Sequence, residues 1–182
     1  MQGGIRAWEG LTAEGPPEAG ITYFAAGTGA ADMASLAWAL EEGTRRFYGT
    51  LSERSSDPEA MKLFGSLVHA EERHKKTLAD LNDRLSSEPV NRMYDDRENQ
   101  VLEGGMEMEK ALQWTQGRSV TEILELGLEL EANAYDRYLK MLDAAADSSS
   151  REVFRTIAKE EKQHLERLAG LMDERLESAK RQ

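Results

Sequence analysis

The chain has 182 residues, of which 40% are hydrophobic and 31% are charged, and its formal net charge is −11. A chain of this length suits a single domain, or a single domain with an appendage, and the acidic charge argues against a nucleic acid or an anionic membrane surface as a partner. Because the chain contains no cysteine, a disulfide scaffold, a thiol nucleophile and a Cys-ligated metal centre are all excluded.

The first 29 residues show no helical periodicity, because glycines and prolines interrupt them throughout. This region is predicted to be a tail or linker (residues 1–29) that precedes a domain spanning residues 30–182. The most apolar stretch of the chain, residues 21–40, contains Gly27, Gly29 and Asp32 and has no basic flank. Neither a signal peptide nor a membrane span is therefore expected, and the cytoplasm is the default location.

From residue 30 onward, apolar side chains recur every three or four positions, which predicts long amphipathic helices. The first helix is expected at about 30–54. Asp57 is a suitable N-cap for the second helix, which begins at Pro58 and ends near residue 86. A long connection follows, and a short helix is expected within it at 106–114.

Two capping-box sequences mark the beginnings of the third and fourth long helices. Ser119-Val-Thr-Glu122 opens a helix that ends near residue 146, and Ser149-Ser-Arg-Glu152 opens one that ends near residue 178. Two helical hairpins joined by a long crossover predict an all-α four-helix bundle with the connectivity of ferritin-like proteins.

The two hairpins are related by an internal repeat, because a shift of 90 residues aligns them without a gap. Each hairpin has one Glu on its first helix and a Glu-x-x-His on its second helix, where residues three apart share a face. The Glu residues of one hairpin lie at equal distances from its turn, so antiparallel packing places them level. The predicted layer consists of Glu41, Glu71, His74, Glu131, Glu161 and His164.

Charge decides what such a layer would need. Four carboxylates that converge in a core repel one another and are costly to bury as ions, whereas two divalent cations would cancel their charge. This residue set is typical of di-iron and di-manganese carboxylate bundles, and its affinity would also admit zinc. A single Glu-x-x-His in a Glu-rich chain is weak evidence, but two copies in register with a further Glu pair favour metal binding. Four neighbouring carboxylates and one histidine are expected in solvent: Glu42, Glu72, Glu129, Glu160 and His69.

Tyr48 and Tyr138 lie two turns beyond Glu41 and Glu131 on the same helical faces. One interpretation is that they are core aromatics whose hydroxyls find a hydrogen-bond partner. The other is a role in the site, in which they orient a ligand carboxylate or supply a proton and an electron.

Residues 30–178 resemble a rubrerythrin-type, ferritin-like di-iron domain. The motifs that carry the resemblance are Leu40-Glu41…Phe47-Tyr48, Glu71-Glu-Arg-His74, Leu130-Glu131…Tyr138 and Glu161-Lys-Gln-His164. The resemblance implies two iron ions bridged by Glu71 and Glu161, with Glu41 and Glu131 as terminal ligands and one histidine on each ion. It also implies reaction with hydrogen peroxide or dioxygen, an external electron donor and a homodimer.

The chain departs from that family in two ways. It lacks the four cysteines of the rubredoxin-like domain that many rubrerythrins carry, and it has Ala134 where peroxide-reducing members have an extra Glu. Thr44 is the repeat counterpart of Ala134. The site is therefore expected to be symmetric, with four Glu and two His, and peroxidase activity does not follow from the resemblance alone.

The segment from Gly3 to Leu11 resembles the final strand, turn and helix of a rhodanese domain, although a Gly-rich tail explains it equally well. The leading hypothesis is a di-iron oxidoreductase. The alternative is a metal-binding module without turnover that serves a fused or partner rhodanese. A third interpretation, a structural bundle in which Glu and His only form buried ion pairs, is less attractive because such pairs add little stability.

Overall fold

A computed structural model describes residues 29–93 and 101–180 of the chain. The predicted N-terminal tail, up to residue 28, and the rhodanese-like segment within it lie outside the described residues. The described part confirms the all-α bundle and contains no strand apart from an isolated bridge between Val101 and Glu107. Its helices are α1 (Ala30–Arg54), α2 (Pro58–Leu85), α3 (Met108–Thr115), α4 (Val120–Ala144) and α5 (Ser148–Lys180), with a 3-10 turn at Val90–Met93.

Side-chain caps explain where three of the long helices begin. The Asp57 carboxylate accepts hydrogen bonds from the backbone N–H groups of Glu59 and Ala60, both at 3.0 Å, as its sequence context predicts. The capping box of Ser119 and Glu122 at the beginning of α4 is also confirmed.

The predicted capping box at the beginning of α5 is wrong. The Asp147 carboxylate accepts hydrogen bonds from the backbone N–H of Ser150 at 2.8 Å and from its hydroxyl at 2.6 Å. The helix therefore begins at Ser148, before the Ser149 that was expected to cap it. An ionised carboxylate is a stronger acceptor than a serine hydroxyl, which favours Asp147 as the cap.

The bundle has two apolar clusters with a polar layer between them. Helix α1 packs along α2, α4 packs along α5, and α2 contacts α5. One cluster surrounds Phe47, Phe64 and Leu124, and the other surrounds Leu78 and Phe154. Along every long helix, the positions of the predicted layer fall between the residues of these two clusters. The layer is thus closed off by apolar side chains above and below.

Part of the crossover between α2 and α4 packs beside this polar layer. Residues 102–105 form a tight turn in which the N–H of Gly105 donates to the carbonyl of Leu102 at 2.8 Å, and Gly105 has φ +79°. A Cβ at Gly43 of α1 would lie 2.4 Å from the carbonyl oxygen of Val101, so only glycine allows this approach. A Cβ at Gly104 would lie 3.0 Å from the side-chain Cδ2 of Leu130 on α4, so the turn also packs closely against that helix. The turn is therefore wedged between α1 and α4.

No helix of the described residues has the length and apolar character needed to cross a membrane.

Candidate metal centre

The six predicted side chains converge in one layer of the core, and none of them is more than 2% exposed. They form two overlapping groups, in each of which one candidate ligand atom per residue lies within 4.8 Å of the others. Glu71 and Glu161 belong to both groups. The first group adds Glu41 and His74, and the second adds Glu131 and His164.

Both histidines direct the same ring nitrogen towards the carboxylates. His74 Nδ1 lies 3.3 Å from Glu41 Oε2, 3.2 Å from Glu71 Oε2 and 2.9 Å from Glu161 Oε1. His164 Nδ1 lies 2.9 Å from Glu131 Oε2, 3.1 Å from Glu161 Oε2 and 3.6 Å from Glu71 Oε1. The two rings stack with their centroids 5.3 Å apart.

The residues of this layer fit a pair of metal ions, because their hydrogen bonding is incomplete. Each Nδ1 has hydrogen-bonding geometry towards Glu41 or Glu131, while all four carboxylate oxygens of Glu71 and Glu161 are buried without a hydrogen-bond partner. A buried acceptor without a partner costs free energy, and a charged one costs most. Cations between these oxygens would remove that cost. Carboxylate oxygen and imidazole nitrogen are ligands that suit iron, manganese or zinc.

Burial and the charges of neighbouring carboxylates also shift the pKa values of the layer. Burial raises the pKa of Glu71 well above its ordinary value, and the charges of Glu41 and Glu161 raise it further. Burial opposes a charge on His164, but its hydrogen bond to Glu131 and the nearby charges of Glu131 and Glu161 raise its pKa to about 9. Without metal, the layer therefore holds protons that a bound cation would have to displace.

Tyr48 and Tyr138 each contact a carboxylate of the opposite hairpin. The Tyr138 hydroxyl donates to Glu41 Oε1, and the Tyr48 hydroxyl donates to Glu131 Oε1. Burial, followed by the nearby carboxylate charges, raises the pKa of both hydroxyls well above the usual value, so both stay protonated. The hydroxyl partners are thus carboxylates of the layer itself. The pairing across hairpins was not predicted from the repeat.

Two of the four neighbouring Glu residues depart from the prediction, whereas Glu72, Glu129 and His69 are exposed as expected. Glu42 is buried and pairs with Lys75 Nζ at 2.6 Å and with Arg46 Nε at 2.7 Å. Burial would raise its pKa, but hydrogen bonds from Arg45, Lys75 and Arg46 lower it to about 2.

Glu160 reaches the outer nitrogen of a histidine of the layer, although its side chain remains 33% exposed. Its Oε2 lies 3.2 Å from His74 Nε2 and 3.3 Å from Arg73 Nη2. The position that corresponds to Glu160 in the first hairpin is Ala70, which is buried and offers no acceptor side chain. The two halves of the layer therefore differ at this point.

Sequence reasoning missed one buried ion pair beside the layer. Glu103, on the crossover turn, is 1% exposed, and its Oε1 lies 3.2 Å from Nη1 of the buried Arg137 on α4. Arg137 Nη2 also donates to the backbone carbonyl of Glu103. The crossover has no counterpart in the repeat and no helical periodicity, so nothing in the sequence distinguished Glu103 from the charged residues of a loop.

The profile of the family described as Rubrerythrin matches residues 32–172, a range that includes all six residues of the layer and the crossover. No curated protein is significantly similar to the chain.

Proposed function

Because the chain belongs to the rubrerythrin family, we propose that it is a non-haem di-iron oxidoreductase that reacts with hydrogen peroxide or dioxygen. The observation that carries the proposal is the set of four buried oxygens on Glu71 and Glu161 that have no hydrogen-bond partner and are flanked by the Nδ1 atoms of both histidines. Manganese or zinc would suit the same residues as substitutes for iron.

The proposed ligand roles follow from the two overlapping groups. Glu71 and Glu161 occur in both groups and would bridge the two ions. Glu41 and His74 would complete one ion, and Glu131 and His164 would complete the other. When bound, the iron pair would supply the two electrons that reduce the oxidant.

The chain's own residues would hold the terminal carboxylates in place. In both terminal Glu residues, Oε1 accepts a hydrogen bond from a tyrosine and Oε2 faces a histidine Nδ1. The tyrosines Tyr138 and Tyr48 therefore fix which oxygen of Glu41 and Glu131 is presented to a cation. Partners of this kind orient a ligand and tune its basicity.

The apolar clusters on both sides of the layer would keep water away from the ions. Tyr48 stacks on Phe64 with ring centroids 5.9 Å apart, and Tyr138 packs against Phe154 at 6.4 Å. A dry site strengthens the electrostatic interactions within it and limits side reactions.

A second candidate function is a metal-binding module without turnover. It is favoured by Ala134 and Thr44, because neither position offers the extra carboxylate expected in peroxide-reducing members. The structural interpretation, with buried ion pairs alone, is disfavoured because each histidine Nδ1 is shared among three carboxylates, and the oxygens of Glu71 and Glu161 have no hydrogen-bond partner.

The proposal also concerns partners. It requires a small-molecule oxidant and an external electron donor, since the chain has no cysteine that could hold a rubredoxin-type iron. A homodimer and a cytoplasmic location rest on the family resemblance, and a rhodanese partner rests on the resemblance of the N-terminal segment.

The test is steady-state consumption of hydrogen peroxide by the iron-loaded protein with a reducing donor. We expect turnover in the wild type and in Glu72→Ala, whose side chain is 62% exposed beside the layer, and its loss in Glu71→Ala. Two bound irons without turnover would favour the metal-binding module. Equal turnover in the wild type and Glu71→Ala would contradict the assigned site.

A further inference from the structure

Outside the six residues of the layer, Glu103 is a buried carboxylate that the proposed function leaves without a role. Its Oε1 contacts Arg137 Nη1, whereas its Oε2 is buried and has no hydrogen-bond partner. A buried carboxylate oxygen without a partner is costly, and its presence in a native core requires a physical reason. A missing ligand is one such reason.

The fold holds Glu103 in place from three directions. The backbone N–H of Glu103 donates to Thr44 Oγ1 of α1 at 3.1 Å, and its carbonyl accepts from Arg137 of α4. Val101, which precedes the turn, packs closely against Gly43 of α1. Hydrogen bonds to α1 and α4 therefore fix the position of Glu103 between these two helices.

The position of Glu103 relates it to one half of the layer. Thr44 lies one helical turn after Glu41, and Arg137 precedes Tyr138, whose hydroxyl binds Glu41. Burial raises the pKa of Glu103 well above its ordinary value, and the charges of Glu41 and Glu161 outweigh the opposing effect of Arg137. Its carboxylate thus lies in the field of the layer, on the side of Glu41.

We propose that Glu103 is a further metal ligand, which binds through Oε2 the ion held by Glu41 and His74. This inference rests on the proposed ion pair. Oε1 remains with Arg137, so the guanidinium and the cation share one carboxylate and neither charge is left unpaired. Arg137 is in this view the residue that positions Glu103.

A crossover ligand makes the two ions unequal. The repeat provides each ion with three Glu and one His, but the crossover occurs only once in the chain and would serve only one half. The ion held by Glu131 and His164 then has one protein ligand fewer and keeps more room for water or an oxidant. The proposal thus predicts an asymmetric site, whereas the repeat alone predicts a symmetric one.

The test compares Glu103→Gln with Glu107→Gln, which is the same change at another residue of the crossover. Glu107 is partly exposed, and its Oε1 lies 3.2 Å from Lys110 Nζ. Anaerobic titration of the metal-free full chain with Co(II), followed by calorimetry and visible absorption, reports affinity and coordination. We expect Glu103→Gln to lower the affinity for one of the two Co(II) ions by at least about tenfold and to change the visible absorption spectrum of that ion. Glu107→Gln should match the wild type.

A purely structural role for Glu103 predicts a different result. Glu103→Gln would then lower the thermal stability of the metal-free protein but leave both affinities and the spectrum unchanged, and this result would overturn the inference. If Glu103→Gln does not fold, Glu103→Asp replaces it, because the shorter carboxylate keeps the charge opposite Arg137 but reaches less far. Wild-type affinities in folded Glu103→Asp would then overturn the inference.

The inference and the proposed function fail in distinguishable ways. A wild type that binds no pair of ions would overturn both. A wild type that binds two ions, with a folded Glu103→Gln that binds them identically, would overturn the role of Glu103 alone.

Discussion

His74 and His164 occupy equivalent positions in the repeat, yet their surroundings differ. His74 Nε2 contacts Glu160, while the corresponding position in the other hairpin is Ala70. A carboxylate on the outer nitrogen fixes the tautomer and ring orientation of a metal-binding histidine and raises its basicity. We therefore expect Glu160 to position His74 in the proposed metal site.

We predict that Glu160→Ala lowers the affinity for the ion at His74 by about 10- to 100-fold and leaves the affinity for the ion at His164 unchanged. Glu160→Gln keeps an amide oxygen as a hydrogen-bond acceptor for His74, so it should lower the affinity less than Glu160→Ala. Zinc titration with a competing chelator measures both affinities, with Glu129→Ala as the control for an exposed carboxylate. Wild-type affinities in Glu160→Ala would show that this contact does not support the ligand.

At the scale of single residues, the sequence predicts which side chains share the layer but not how their atoms pair. A 90-residue repeat places Glu41 and Tyr48 on one face of one helix, whereas the Tyr48 hydroxyl reaches Glu131 of the other hairpin. Glu42 was assigned to solvent from the direction of its helix face, but Arg46 and Lys75 fold over it. Such pairings depend on packing between helices, which periodicity along one helix does not describe.

Helix boundaries at the scale of elements were predictable where a single capping residue was present. Pro58 after Asp57 and the box of Ser119 and Glu122 each offer one interpretation, and both are confirmed. Before α5 the sequence Asp147-Ser-Ser-Ser-Arg-Glu152 offers two overlapping caps, and the carboxylate prevails over the hydroxyl. The cap then lies at Asp147, two residues before the predicted Ser149.

We predict that Asp147→Ala lowers the free energy of unfolding by about 1 kcal/mol, whereas Ser149→Ala changes it little. The hydrogen bonds from Ser150 hold the pKa of Asp147 below its ordinary value. Its contribution is therefore present above about pH 4 and is lost as the pH falls through the pKa of the folded state. Urea denaturation of the metal-free protein at pH 7 measures both variants. An equal loss of unfolding free energy in Ser149→Ala would show that Ser149 caps α5 and would contradict the role of Asp147.

The crossover was the element least accessible from sequence. Its fold depends on Gly43 of α1 and on Gly104, which allow close packing between the crossover and two helices, and on a turn with Gly105 at positive φ that buries Glu103. Glycines in a connection indicate a loop but do not indicate which surface the loop covers.

At the scale of the whole molecule, the repeat explains both the architecture and the site. Two copies of one hairpin provide two apolar clusters and, between them, one layer of four carboxylates and two imidazoles. The fold was predictable because long periodic helices and one crossover leave few alternatives. The reaction was not, because it depends on the metal, the donor and the route of the oxidant, none of which helical periodicity encodes.

The measurement that tests the central claim most directly is the number of Fe(II) ions bound per chain under anaerobic conditions. We predict two ions per wild-type chain and two per Glu72→Ala chain, and loss of the pair in Glu71→Ala and in Glu161→Ala, because each of these variants removes a carboxylate shared by both ligand groups. A wild type that binds no iron, or a Glu71→Ala variant that retains two ions, would contradict the account.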